Sequence, residues 1–480
     1  MKYQLLTWKD RFYGSYLGWF LFAQFFWIVY FNNILSDVLL ILTAVLAMNL
    51  NMNIVHFLSN SWRNKLWRKY PTIYKWLHEG EATIFFLSLG VLFYLYDSEQ
   101  IGLIHHWPWS LMATIVGVMA MANVLKSEVA ELLKLLLYIP RIGTTLYIIA
   151  VSLAGSGVSE VSAAVIACQT KIKSGVEKVF GVGVAASIGV GSLLSFPCAP
   201  PILMIWGILS LIFNWTAQTL FMLMIPSVLA YVIVMSIILR KYIVVPEGSI
   251  GKGWLKGIPA IIVVIGYVVL HFSYGENSYV MTLDVIMGIV ATLVAYKRKE
   301  GFHAQWQHWM LGGVIFALEI IAAKCTGSVM LLGEIMLVLS EHPILFGLAV
   351  FYLTVFISHW ADNALATGGL ISIPIVVLAS GADIVLVSFL IVCLIVGAGA
   401  GGLLLRSSNV HNFFVSSYYK MHPWKDWFKI AFMKYYLAMS SFFIILPIVY
   451  YMIAWGWLPV PEPNMTELHR FIEVMKGDHH

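Results

Sequence analysis

Two segments of this 480-residue chain each place a lone carboxylate among small and hydroxyl-bearing residues within apolar sequence. Residues 155–164 carry Glu160, residues 358–369 carry Asp362, and a serine stands four positions before each acid. A carboxylate in hydrocarbon is costly unless something compensates it, so such an acid should face a cavity, a partner or a ligand. One acid alone would also fit a structural hydrogen-bonding group or a partner for a lysine. Two acids in matched surroundings favour a functional site that includes both.

A glycine-rich patch and a polar stretch follow each acid after about 30 to 40 residues, at 189–201 in the first case and 397–412 in the second. Gly, Ser, Asn and Pro allow helices to break, and broken helix ends expose backbone groups that coordinate ions. Paired interrupted segments in two halves of a chain indicate a transporter's binding site near the membrane midplane.

Carboxylate, hydroxyl and carbonyl oxygens suit a hard cation such as Na⁺, and a buried carboxylate can instead take a proton. The sequence therefore predicts a site for a monovalent cation and a proton, with Asp362, Asn363 and Glu160 as candidate Na⁺ ligands. The full set of predicted ion-binding and proton-coupling residues is Asp362, Asn363, Glu160, Ser156, Ser159, Ser358 and Thr367.

Three further ionisable residues are candidates for coupling. Glu319 and Lys324 stand five apart in an apolar run, so they are not ideally aligned on one helix face. Lys324 fits a structural ion pair, and it also fits a mobile proton-coupling pair, because desolvation readily shifts the protonation of a lysine. Glu81 opens a predicted helix, where it would interact favourably with the helix dipole.

The elements that must position these residues are predicted to be membrane-spanning helices. Apolar residues make up 60% of the chain and charged residues 11%, whereas soluble proteins carry roughly 25% charged residues. The apolar runs far exceed the roughly 10 residues of a transmembrane strand, and their length allows about 12 to 14 crossings. The composition predicts an all-α polytopic membrane protein. A net charge of +5 is too small to indicate a nucleic-acid binder.

Charge asymmetry predicts the orientation. The basic loop at 63–75 and the basic N-terminus should be cytoplasmic, as should both ends of a predicted helical hairpin formed by 258–274 and 281–296. Residues 126–138 and 420–434 are amphipathic and predict helices in the membrane interface. No cleavable leader is evident, so the first helix should be retained.

The predicted organisation has five parts. An N-terminal helical hairpin and basic loop precede a first transport repeat, a linking helical hairpin, a second transport repeat and a C-terminal tail. The four cysteines form no Cys-x-x-Cys pair, so neither a disulfide framework nor a zinc site is expected. No cofactor is expected apart from the transported ions. The predicted boundaries are 1–79, 80–241, 242–304, 305–457 and 458–480.

At these motifs the chain resembles the sodium/proton antiporters of the ion transporter superfamily. The family's first tip, Gly-Ser-x-Ile-Thr-Glu-Pro-Ala-Ala-Met, is similar to 155–164, and its Thr-Asp-Asn-Ala-Ala-Leu-Thr segment is similar to 361–367. A Phe-Ala-Ala-Pro-Pro-Val-Leu-Met segment resembles 196–204, and a His-x-x-Gly-Glu start loosely resembles 77–81. The order of the motifs matches, over about residues 77 to 415.

The resemblance implies two inverted repeats, each with a re-entrant hairpin and a broken helix, and a cation site between the two tips. It also implies a multi-pass protein of the inner cell membrane that forms homodimers. The chain departs from the family pattern at several positions, so the identity of the ion and the exchange ratio do not follow from the resemblance. These departures are Ser159, Val161, Ala361, the segment 408–412, and Glu319, Lys324 and Glu334.

Two transport hypotheses remain open, and an enzyme is not expected. The leading hypothesis is a secondary transporter that exchanges Na⁺ or Li⁺ for H⁺. The alternative is a sodium-coupled carrier of a dicarboxylate or other small anion, for which Arg406 is the candidate cationic anchor. The motifs of intramembrane aspartyl and rhomboid proteases and of His-Glu-x-x-His zinc sites do not occur. Paired interrupted segments favour alternating access over a channel.

Overall fold

The structure is a computed structural model, and within the ranges it describes the chain is mostly helical and has no β-strand. One isolated antiparallel bridge pairs Ile172 with Ile243 in the same ranges. The described residues are 65, 68–70, 121, 124–157, 160–194, 199–246, 254–255, 257–274, 278–297, 326–360, 363–405 and 408–477.

The helices of the first half begin after a helical stretch at 124–133 that tightens into a 3₁₀ turn at Lys134–Tyr138. Two helices of 15 and 9 residues, α1 and α2, come next. The third helix, α3, continues into a 3₁₀ turn at Ser192–Leu194. The bounds are α1 Gly143–Gly157, α2 Glu160–Cys168, α3 Glu177–Gly191, α4 Pro200–Leu211, α5 Ala217–Leu239, α6 Gly257–Tyr274 and α7 Ser278–Lys297.

The second half contains a similar alternation of long and short helices. Between α13 and α14 the chain forms π-helical turns at Pro423–Phe428 and Ala431–Tyr435 and a 3₁₀ turn at Tyr436–Ser441. The bounds are α8 Thr326–Met336, α9 Pro343–Trp360, α10 Asn363–Leu370, α11 Ser372–Ala379, α12 Ile384–Gly401, α13 Val410–Tyr418, α14 Phe442–Ala454 and α15 Met465–Gly477.

Four helical segments in the described part of the chain are long and apolar enough to cross a membrane: Glu177–Leu194, Ala217–Tyr242, Ile384–Gly401 and Lys425–Ala454. The prediction of an all-α membrane protein is confirmed at this level. The number of about 12 to 14 crossings stays a prediction. A 15-residue helix such as α1 is only about 22 Å long, which is less than the roughly 30 Å of the hydrocarbon core.

The chain divides into two compact units. The first comprises 1–107 and 302–328, and nearly all of it lies outside the described residues. The second comprises 108–301 and 329–480 and contains every helix above except the first residues of α8. The predicted linking hairpin falls on α6 and α7, whose bounds agree closely with the predicted ones. The five predicted domain boundaries stay predictions.

Two buried helices, α3 and α12, form the centre of the second unit. A Cβ atom on Gly189 of α3 would lie 3.2 Å from the carbonyl oxygen of Gly399, and a Cβ on Gly399 of α12 would lie 2.9 Å from that of Gly189. The two backbones therefore touch at this crossing. Small residues permit such an approach because they carry no side chain between the helix axes.

The remaining helices pack around this pair in a regular way. Helix α3 is flanked by α1, α2 and α5, and α12 is flanked by α9, α10 and α14. Two contacts join the halves near the short helices, because α2 packs against α13 and α4 packs against α10. The hydroxyl of Tyr147 at the start of α1 lies 2.5 Å from that of Thr170 just beyond α2, so these helices run antiparallel.

Candidate functional site

In the first acidic segment, the carboxylate of Glu160, the first residue of α2, bonds to residues of other helices. Its side chain is only 3% exposed, and it lies in the first helical turn, where the unpaired N–H groups favour a negative charge. Ser192, directly after α3, donates its hydroxyl to Oε1 at 2.7 Å. His411 of α13 brings Nδ1 to 2.7 Å from Oε2. One carboxylate therefore joins three helices.

The partners of His411 determine how many protons the pair holds. Its Nε2 lies 3.0 Å from the carbonyl oxygen of Ala185, which can only accept, so Nε2 carries a hydrogen. Nδ1 then faces the carboxylate of Glu160, and one proton must lie between them, on either atom. Without that proton two lone pairs would face each other at 2.7 Å. The pair is thus a one-proton site formed by residues 251 positions apart.

Small residues on α3 make room for this imidazole ring. Ala185 and Gly189 are four residues apart and lie on the same helix face. A Cβ on Gly189 would approach Cε1 and Nε2 of His411 to 3.3 Å. A Cβ on Gly191 would lie 2.4 Å from the backbone oxygen of Ser152, so glycine is required there for α1 to approach α3. Helix α3 ends at Gly191, and the glycines of this predicted interruption also set the distances within the site.

In the second acidic segment, the structure describes the residues before and after the acid Asp362. Helix α9 ends at Trp360 and α10 begins at Asn363, while Asp362 lies outside the described residues. Asn363 is 1% exposed, and neither atom of its amide has a hydrogen-bond partner within the described part of the chain. Thr367 donates its hydroxyl to the backbone oxygen of Asn363 at 2.8 Å. Within the described residues, both polar atoms of this buried amide therefore stay unsatisfied.

Polar side chains surround the C-terminal end of α12. His359 donates Nδ1–H to the carbonyl oxygen of Gly401, and Ser358 donates its hydroxyl to that of Ala398 at 3.0 Å. The carbonyl oxygen of Gly402 accepts from the Ser408 hydroxyl at 2.8 Å and also from the Asn412 amide. Hydroxyls that donate in this way keep oxygen lone pairs for a cation.

The structure places some of the predicted site residues and not others. Glu160, Asn363, Ser358 and Thr367 are buried, and half-buried Ser156 donates to the carbonyl oxygen of Leu153 at 2.7 Å. Glu160 begins α2, which packs against α3, and Asn363 begins α10, which packs against α12. Five predicted residues lie outside the described ranges: Ser159, Asp362, Glu81, Glu319 and Lys324.

Sequence reasoning missed the two direct partners of Glu160, which are Ser192 and His411. His411 belongs to the polar stretch predicted to interrupt the second half, so its polarity was visible, but its pairing with an acid 251 residues away was not. Ser192 follows the last glycine of α3 and has no distinguishing pattern. Among the described residues no group of three His, Cys, Asp or Glu side chains could hold a metal ion.

The chain matches no protein-family model and no curated protein. Membership of the sodium/proton antiporter family therefore stays a prediction from the motifs.

Proposed function

We propose that this protein is a secondary active transporter that exchanges Na⁺ or Li⁺ for H⁺. The observation that carries the proposal is the buried pair of Glu160 and His411, which holds one proton inside a helical membrane protein. A carboxylate in such a position can bind either the proton or a cation, but not both. Competition for one carboxylate couples the two fluxes without a separate mechanism.

The exchange cycle follows from this competition. When the shared proton leaves, the carboxylate of Glu160 and the lone pair of His411 repel each other, and the carboxylate becomes a ligand for the cation. The oxygens of Asp362, Asn363 and neighbouring hydroxyls complete the cation's coordination in this proposal. Return of a proton restores the pair and releases the cation.

The proposed fold contains two inverted repeats, α1–α5 and α9–α14. The support is that exchanging α1 with α9, α2 with α10, α3 with α12, α4 with α13 and α5 with α14 converts most of their contacts into other contacts that also occur. The contact of α5 with α12 is an exception, and α11 has no counterpart in the exchange. The contact of α2 with α13 becomes that of α10 with α4. In this proposal α1–α2 and α9–α10 are re-entrant hairpins, and α3–α4 and α12–α13 are broken helices, as alternating access requires.

A sodium-coupled anion carrier on the same scaffold is the second candidate. It is favoured by buried amide N–H groups on Asn363 and Asn409, which have no partner in the described ranges and suit the oxygens of an anion. The predicted cationic anchor for such an anion, Arg406, lies outside the described residues.

The proposal also covers the protein's membrane location, its assembly and the kind of process it carries out. The positive-inside rule places the N-terminus in the cytoplasm, and we propose the inner cell membrane as the site of action. The partners are then the bilayer, the monovalent cation, the proton and a second copy of the chain. The protein acts as a carrier, with no enzymatic step and no bound cofactor.

The test uses proteoliposomes loaded with a pH dye and pulsed with Na⁺, Li⁺ or K⁺. The variants are D362N and E160Q, with E177Q as a control for an acid at the far end of α3. Cation-dependent proton flux that both site variants lose and the control keeps would support exchange. Absence of proton flux with every cation, in protein that is folded and monodisperse, would overturn the proposal. A dicarboxylate uptake screen would then test the carrier.

A further inference from the structure

Three segments gather positive charge around the first turns of α3. They are 171–178, 240–241 and 420–434, together called the basic surface here. They contain nine Lys and Arg residues but only two acids, Glu177 and Asp426. Eight of the cations are exposed: Lys171, Lys173, Arg240, Lys241, Lys420, Lys425, Lys429 and Lys434.

Backbone pairing holds the first two segments together. Ile172 and Ile243 form the antiparallel bridge, and the N–H of Lys173 donates to the carbonyl oxygen of Tyr242 at 2.9 Å. The N–H of Val244 donates to the carbonyl oxygen of Lys171 at 3.0 Å. Because four cations flank these hydrogen bonds, the pairing concentrates their charge at the end of α5.

The third segment packs along its buried side. Trp427 and Ala431 of the segment, and Tyr435 and Met439 just after it, recur every four residues and are at most 2% exposed. The hydroxyl of Tyr435 donates to the carbonyl oxygen of Val179 in the first turn of α3 at 2.7 Å. These contacts fix the segment against the helix that carries Ala185 and Gly189.

The third segment contains one acid, Asp426, and an ion pair neutralises its charge. Lys178 lies 2.8 Å from the carboxylate of Asp426, which also accepts the N–H of His422 at 2.8 Å. Lys178 therefore neutralises the charge of Asp426, and Lys425 and Lys429 of the same segment are both exposed.

The outward side of the third segment also exposes apolar groups. Phe432 and Met433 are exposed, Met433 to 69%, and Leu437, three residues after the segment, is 81% exposed. The helical run Lys425–Ala454 has 30 residues and would be about 45 Å long, so its first turns extend beyond a hydrocarbon core of roughly 30 Å. Exposed lysines beside exposed apolar groups at that depth fit the boundary between headgroups and acyl chains.

We propose that the basic surface binds the phosphate headgroups of anionic lipids. Lysines and arginines supply the charge, and the apolar side chains of the third segment enter the adjacent acyl region. Bound lipid would hold the 420–434 segment against the start of α3. The proposal goes beyond ion exchange, because it concerns a surface remote from Glu160 and does not depend on which ion is transported.

The experiment measures lipid binding to the full chain in neutral detergent at low salt. Phosphatidylglycerol and phosphatidylcholine are titrated separately, and the rise in unfolding temperature reports binding. The test variant is K425Q/K429Q/K434Q. The control is K134Q/R470Q, which removes half-buried Lys134 and exposed Arg470, two cations outside the basic surface. Inorganic phosphate in a parallel titration distinguishes a lipid from a free anion.

We expect phosphatidylglycerol alone to stabilise the wild type, and 0.5 M salt to weaken the effect by screening. Each lysine near an anionic surface is worth about fivefold in affinity, so the triple variant should bind about a hundredfold more weakly. The control should bind like the wild type. Equal stabilisation by phosphatidylcholine or by phosphate, or an unchanged triple variant, would overturn the proposal. If the triple variant does not fold, K171Q/K173Q decides, with an expected weakening of about 25-fold.

Discussion

The two acidic segments differ in how their polar groups are satisfied. At the first, Glu160 accepts from Ser192 and shares a proton with His411, so each of its two oxygens has a partner in the protein. At the second, the buried amide of Asn363 has no partner among the described residues. Buried polar groups in folded proteins are almost always hydrogen-bonded. In the proposed exchange, Glu160 of the first segment takes the proton and the cation in turn, and the second segment supplies further ligands to the cation.

The crossing of α3 and α12 explains how two such different environments can act together. Gly189 and Gly399 approach each other reciprocally, so each helix limits the position of the other. Ser192 extends from the end of α3 to Glu160, and Gly401 at the end of α12 accepts from His359. We expect a shift at one helix end to displace the other, which would provide the coupling that the proposed exchange needs.

The largest effect should come from replacing Glu160 with Gln. The amide keeps the shape and can still bond Ser192 and His411, but it cannot exchange a proton for a cation. We expect cation-driven proton flux in proteoliposomes to fall at least about a hundredfold, equivalent to about 2.7 kcal/mol. The unfolding temperature should change little. Retention of flux above about a tenth of the wild-type value would remove Glu160 from the site.

The next largest effect is expected on stability at Gly191. A Cβ there would lie 2.4 Å from the backbone oxygen of Ser152, which cannot move without displacing α1. G191A should therefore destabilise the protein by about 1–3 kcal/mol, the usual cost of overpacking. Gly207 of α4 provides the matched control, because a Cβ there meets nothing within 4 Å. G207A should stabilise the helix by roughly 0.5–1 kcal/mol.

Unfolding temperatures in detergent measure both glycine variants. The predicted result is a change of opposite sign for the two substitutions. If G191A were as stable as G207A, the close approach of α1 to α3 would be wrong, and with it the placement of Ser192 beside Glu160.

Replacing His411 with Asn should have an intermediate effect. The Asn amide can donate to Glu160 from a similar position but has no transferable proton. If the cation competes with the shared proton as proposed, the apparent cation affinity of the wild type should fall as pH falls. H411N should lower flux about tenfold and flatten this pH dependence. The exposed His469 of α15 supplies the control H469N. A pH profile unchanged in H411N would contradict the one-proton pair.

Part of this arrangement could be predicted from sequence. Composition predicts the membrane helices, and small residues beside the acids predict interruptions near the points where α2 and α10 begin, at Glu160 and Asn363. The Glu160–His411 contact could not be predicted, because it depends on how two halves 251 residues apart pack. Local charge predicted an interfacial helix at 420–434, but not that its segment runs on into α14 as one apolar stretch.

The smallest effect should come from replacing Asn363 with Ala. This variant distinguishes the roles of the two acidic segments most clearly. If its amide oxygen is one of several cation ligands, N363A removes one polar contact, worth about 1 kcal/mol or about fivefold in affinity. The apparent Na⁺ affinity in the flux assay should fall by that factor, while the pH dependence keeps its wild-type slope because Glu160 and His411 are untouched. Q218A, an exposed amide on α5, is the control. A flattened pH profile in N363A with unchanged Na⁺ affinity would reverse the assignment, because the second segment would then hold the proton.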